Sequence, residues 1–181
     1  MAADTELGRA KLDWARNHMP IHAHLRALHG ESRPLAGLTV GVCSHLEAKT
    51  GVLIETLAAA GAEVLFTGSE PFSTQDDVVA ALAEQDGIRG YARHGLSDEA
   101  FETLQLELID QGCDFILDDA AELTARMVDK RPDLVGRLLG VCEQTTTGVH
   151  RLSAMEKSGL VTFPAYAVND TPMKRYFDNV H

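Results

Sequence analysis

Gly37–Gly68, GLTVGVCSHLEAKTGVLIETLAAAGAEVLFTG, reads as one strand–helix–strand unit, and that reading decides the fold. Leu38-Thr-Val-Gly-Val-Cys43 is a short apolar run with β-branched residues, the pattern of a buried strand. Thr50 to Ala60 has helical periodicity and stops at Gly61, a usual C-terminal residue. Ala62-Glu-Val-Leu-Phe-Thr67 is then a second strand.

The same unit recurs downstream. Ser73-Thr-Gln-Asp76 opens a helix to about Glu84, Gly87–Tyr91 is a weaker strand, and a helix is expected over 98–111. Phe115-Ile-Leu-Asp118 is a strong strand followed by a helix over 121–129. Leu138–Cys142 is another strand, with a helix near Gly148–Lys157 and two closing strands at Leu160–Phe163 and Ala165–Val168. Upstream, Leu12, Ala15, Met19, His22 and Leu25 recur at helical steps within 7–28, and Pro20 should kink or split that helix. Strands alternating with helices imply right-handed crossovers, so the expected fold class is α/β: a doubly wound, mainly parallel sheet with helices on both faces. The expectation is a single domain over residues 1–181.

Composition narrows the function. The 181 residues are 45% hydrophobic with a net charge of −11, which argues against nucleic acid or an anionic membrane as partner, since phosphate contacts need clustered Lys and Arg. A nucleoside carries no phosphate and is not excluded. Cys43, Cys113 and Cys142 show no metal-ligand spacing, so no metal site is expected and the thiols read as reduced and buried. With no apolar run near membrane length and no signal segment, a cytoplasmic location is expected.

In doubly wound folds ligands lie beyond the carboxyl ends of the strands. The polar residues there are Ser44-His45, Gly68-Ser69, Asp118-Asp119, Glu143-Gln144-Thr145 and Asn169-Asp170. Taken singly each has a plain structural account: a capping His, aspartates capping the next helix, or Lys174 and Asp178 as a surface pair four residues apart.

Taken together they fall into words. Gly51–Leu57 (GVLIETL), Phe72-Ser-Thr-Gln-Asp76, Ile116-Leu-Asp-Asp119, Thr145-Thr-Thr-Gly-Val-His150 and Val168-Asn-Asp170, with Lys174 and Phe177-Asp-Asn179, resemble the substrate-binding half of S-adenosylhomocysteine hydrolases in order and spacing. The resemblance runs from near Gly8 to the end. It implies NAD-dependent cleavage of S-adenosylhomocysteine to adenosine and homocysteine through transient oxidation of the ribose 3′-hydroxyl. By matching motif it implies His45 and Asp119 as acid/base residues near C5′, and Lys174 and Asp178 at the 3′-hydroxyl with Asn169 beside them. Glu47, Lys49, Gln75, Gln144 and Thr145 fall at substrate positions. Thr145, Thr146, Thr147 and Asn179 would reach the ribose, or the NAD of a facing domain.

The sequence also departs from that family. Where members read His-x-Thr-x-Glu or Gln, this chain reads His45-Leu-Glu47-Ala-Lys49. Lys is a pure donor and suits a carbonyl, as in hypoxanthine, better than adenine's amino group. Gln144 replaces a Glu, keeping the shape without the charge, and Asp119-Ala-Ala-Glu122 replaces Asp-Gly-Gly-Asp. These changes read either as retuned specificity or as drift. No G-x-G-x-x-G occurs, so NAD is expected for full-length members but not held by these residues alone. Phe177–His181 follows a word that continues in full-length members, so a piece of a longer chain is expected; the expected partners are a small-molecule nucleoside and either a missing NAD domain or further copies in a homo-oligomer. The alternative is a free-standing protein acting on another nucleoside or small molecule without NAD.

Overall fold

The computed structural model describes residues 3–180, so Met1, Ala2 and His181, the ends of the expected 1–181 domain, lie outside the described residues. Six strands, β1 (Thr39–Ser44), β2 (Glu63–Gly68), β3 (Ile88–Gly90), β4 (Phe115–Asp118), β5 (Gly140–Glu143) and β6 (Ala165–Ala167), form one sheet. All pairings are parallel, in the order β3-β2-β1-β4-β5-β6. The chain reverses direction across the sheet between β1 and β4, which is the switch point where ligands bind in such folds.

Side-chain alternation along the strands builds two cores. Val40, Val42, Val64 and Phe66 point to one face, under α1 (Thr5–His18), α3 (Ala48–Ala59) and α4 (Asp76–Ala83). Cys43, Leu65, Ile116 and Val141 point to the other, under α5 (Asp98–Gln111), α6 (Glu122–Lys130) and α7 (Thr146–Lys157). Continuous burial along β1 and β2 follows from helices on both sides.

Pro20 splits the N-terminal helix, and α2 (Pro20–His29) starts on it. Only the α1 half of the expected stripe is buried: Leu12 and Ala15 are fully covered, while α2 has no buried residue and His22 instead meets Thr56 Oγ1 at 3.1 Å. The Arg16 guanidinium ties α1 to α3 through two hydrogen bonds to Glu55, at 2.8 and 2.5 Å.

The expected strand at Leu160–Phe163 does not form. Gly159 turns the chain at φ 72°, and Phe163 goes into the core rather than along a ladder. Pairing begins only after Pro164, which has no N–H to donate but whose carbonyl accepts from Val141 N at 2.9 Å. A 3-10 turn at Val168–Asp170, α8 (Pro172–Tyr176) and a 3-10 turn at Asp178–Val180 follow β6. Among the described residues no helix is long and apolar enough to cross a membrane.

Gly8 is where α1 meets the start of α4: a Cβ there would lie 1.9 Å from the Asp77 carbonyl oxygen. Gly8→Ala is expected to destabilise the protein by about 2–3 kcal/mol, because the obstacle is backbone and cannot rotate away. Denaturant unfolding of the variant against wild type checks this.

Candidate functional site

The turns leaving β1, β4 and β5 meet at the switch point. The Asp119 carboxylate sits at their centre, and its side chain is only 11% exposed. Its Oδ2 accepts from Gln144 Nε2 at 2.9 Å and from Ser69 Oγ at 3.4 Å, and lies 3.6 Å from His45 Nε2. Gln144 Nε2 also approaches Ser44 Oγ at 3.2 Å. His45 is more than half exposed, its backbone carbonyl pinned by the Thr50 hydroxyl at 2.7 Å. An imidazole facing a carboxylate across an open crevice can pass a proton to or from a bound group. Beneath it lies a cavity of about 240 Å³ lined by Val42, Ser44, Leu53, Asp118, Gln144 and Val168, among others.

The neighbouring aspartates divide their work. Asp118 accepts from the amides of Asp119, Leu123 and Thr124 at 3.0, 3.2 and 2.8 Å, so it is the one that caps α6. Burial pushes its carboxyl up to about 6, against the pull of those amides and with Glu143's charge adding to the rise. Asp119 is left to face the crevice. Gln144 bears on this arrangement, because its amide donates to Asp119 where a Glu would set a second carboxylate.

Glu143 holds the turn that carries Asp119. It is fully buried, and its carboxylate accepts from Ala120 N at 3.2 Å, Ala121 N at 2.8 Å, Thr145 N at 2.7 Å and Thr145 Oγ1 at 2.7 Å. Ala120 and Ala121 both adopt left-handed backbone, with φ of 59° and 51°, which turns their amides toward it. The carboxylate also lies against the first turn of α7, where the helix dipole favours negative charge; a Cβ at Gly148 would come within 2.1 Å of it. Glu143 was missed as an anchoring residue in the sequence. The signal was a charged residue closing an apolar strand directly before a Thr-rich helix start.

The remaining expected residues fall as follows. The Thr145 hydroxyl caps α7 through Gly148 N at 3.0 Å, accepts from Ala120 N at 3.0 Å and donates to Glu143, so it is spent on structure. Thr146 and Thr147 are exposed on the same helix start. Asn169 Oδ1 accepts from Thr146 Oγ1 at 3.2 Å and Asn179 Nδ2 at 3.0 Å, joining three expected residues in one cluster. Lys174 and Asp178 are ion-paired to each other, and among the described residues no hydrogen bond links them to His45 or Asp119. Val168 alone carries their segment to the cavity wall. On the other side, Lys49 Nζ pairs with Glu47 Oε1 at 3.3 Å, and Gln75 sits in a groove beside Glu47. Cys43 and Cys113 are buried and Cys142 half-buried; burial raises all three thiols, Cys113 to about 12.

A parallel sheet in this order, with a hydrogen-bonded carboxylate at its switch point, defines a Rossmann-like α/β unit. The model of the family S-adenosyl-L-homocysteine hydrolase matches residues 2–135 and 128–180. The adenosylhomocysteinase of Halobacterium salinarum is 47% identical over 97% of this chain and 41% of its own length. The S-inosyl-L-homocysteine hydrolase of Methanosarcina acetivorans is 48% identical over 96% of this chain and 42% of its own length, and that of Methanopyrus kandleri 47% over 95% and 40%. The chain belongs to the S-adenosyl-L-homocysteine hydrolase family and spans about two fifths of the length of these curated relatives.

Three substitutions test the turn and its neighbour. Ala120→Gly should stabilise the protein by about 1 kcal/mol by removing left-handed strain, read from the denaturation midpoint. Ala121→Gly should gain less, because its methyl is fully buried. For Asp118, the folded value of about 6 lies above the ~3.9 of an unfolded chain, so protonation favours folding. That contribution is complete below about pH 4 and lost as pH rises through 6. Relative to Asp118→Asn, wild type should lose on the order of 2–3 kcal/mol of stability between those limits, measured by unfolding across the pH series.

Proposed function

We propose that these residues form the nucleoside-binding half of a hydrolase that splits a nucleoside–homocysteine thioether, water entering and thiol and nucleoside leaving, with hypoxanthine rather than adenine as the preferred base. The observation that carries the base preference is the Lys49–Glu47 pair, an ammonium and a carboxylate 3.3 Å apart at the start of α3. Hypoxanthine presents a carbonyl oxygen at C6 beside an N1–H, which is complementary to that donor and acceptor side by side. Adenine presents the reverse, an amino group beside an unprotonated N1, and sets its donor against Lys49 and its lone pair against Glu47. The inosyl-specific names of several relatives support the same reading.

In this reading the ribose lies over the switch point. His45 and Asp119 exchange a proton at the C5′ side, and Gln144 keeps Asp119 in place without competing for that proton. Lys174 and Asp178, with Asn169 fixing their segment, approach the ribose hydroxyls from the β6 side, and Thr146, Thr147 and Asn179 form the outer rim. Thr145 serves by holding the turn.

NAD, which the family resemblance implies, does not fit the turn after β1. The turn after β1, where dinucleotide folds cradle a pyrophosphate on glycines, carries His45, a buried Leu46 and Glu47, and the Glu47 carboxylate at the start of α3 repels phosphate. That turn is therefore not a pyrophosphate cradle; Thr146, Thr147 and Asn179, exposed on the β5 and β6 side, are the residues here that would meet NAD presented by a facing domain.

Calorimetry with inosine and adenosine tests the proposal. Inosine is expected to bind on the order of tenfold or more tightly than adenosine, and Lys49→Glu should cut that ratio by about tenfold. Equal affinities in wild type would overturn the base assignment, and an unchanged ratio in Lys49→Glu would place Lys49 outside it.

A further inference from the structure

Lys11, on α1, is distant in sequence from every residue placed in the crevice. Its ammonium nevertheless donates to Gln75 Oε1 at 2.9 Å and pairs with Asp77 Oδ2 at 2.6 Å, and Asp77 is itself largely buried. An ammonium has hydrogens to give and no lone pair to offer, so the Gln75 carboxamide must turn its oxygen toward α1. Its NH2 group then faces away from Lys11, and among the described residues Nε2 donates to no protein acceptor. The backbone of Gln75 is seated too: its N–H donates to the Leu46 carbonyl at 2.9 Å, directly before Glu47. Lys11, Trp14, Glu47, Ala48 and Gln75 line one groove on this side of α3.

We infer that Lys11 is a positioning residue for base recognition, fixing the Gln75 carboxamide so that it presents its amide hydrogens to the base edge as a second donor beside Lys49. This rests on the reading that the base lies at Glu47 and Lys49. With Lys11 in place, Gln75 offers hydrogens in the groove it shares with Glu47, whose carboxylate Lys49 meets at 3.3 Å from beside that groove, a pattern suited to a 6-oxo purine. Were the carboxamide free to turn over, Gln75 would offer its carbonyl and accept from the amino group of adenine equally well. Lys11 therefore sets the sign of the Gln75 contact without touching the ligand. Gly8, three residues earlier on the same helix, allows the close packing of α1 on α4 that brings the ammonium within reach.

The test is the ratio of inosine to adenosine affinity, measured by calorimetry on wild type and four variants, with thermal unfolding alongside. Lys11→Met frees the carboxamide, and Gln75→Glu keeps an acceptor for Lys11 but removes the amide hydrogens. Each is expected to lower the ratio about three- to tenfold. Lys11→Arg retains a donor-only partner and should restore most of the wild-type ratio. Asp77→Asn breaks the ion pair but not the Gln75 contact, and should change thermal stability while leaving the ratio within about twofold. An inosine preference in wild type that survives unchanged in Lys11→Met or in Gln75→Glu would overturn this inference alone. A wild-type protein with no preference would overturn it together with the base assignment on which it rests.

Discussion

A single buried carboxylate organises the strand ends. Among the described residues Glu143 forms no ion pair; its charge is met by the amides of Ala120, Ala121 and Thr145, by the Thr145 hydroxyl and by the first turn of α7. Hydrogen bonds to a charged acceptor in a dry setting are strong, and losing the acceptor would strand several buried donors at once. That is why two alanines can be held in left-handed backbone, where each alone would be strained. The turn so fixed delivers Asp119 to the switch point on one side and Asp118 to the α6 cap on the other. The same carboxylate anchors Thr145 and so places the start of α7, on which Thr146 meets Asn169.

The residues that depart from the wider family have a common logic when seen in place. Gln144 replaces a carboxylate next to Asp119 and donates to it, so the crevice holds one charge where two would compete. Glu47 and Lys49 are altered as a pair and contact each other, which keeps the local charge balanced while changing what the base edge would meet. Lys11 reaches the same corner from α1.

The sheet was legible because burial on both faces leaves an unbroken apolar run, as in Thr39–Ser44, and because glycines such as Gly61 mark the helix ends. Leu160–Phe163 shows where that reasoning fails: the run is apolar because Phe163 enters the core, and only Pro164 explains why no ladder forms until Ala165. At the site, the family resemblance implied His45 and Asp119 as neighbours, and the adjacency of β1 and β4 brings them to 3.6 Å. Two things were not legible. Asp118 and Asp119 are chemically identical in sequence, and only the α6 amides decide which one is spent on the cap. The Lys11–Gln75 contact joins residues 64 apart through the packing of α1 on α4, which no local pattern encodes.

The central claim is that the strand tips and the start of α3 form one nucleoside site. The most direct measurement is a titration of the protein with inosine, followed by NMR at the His45 imidazole and the side-chain amides of Gln144 and Gln75. The account predicts that all three sets of signals move together and fit a single dissociation constant. Signals that stay still at saturation, or that follow separate constants, would show that these residues do not share a ligand and would contradict it.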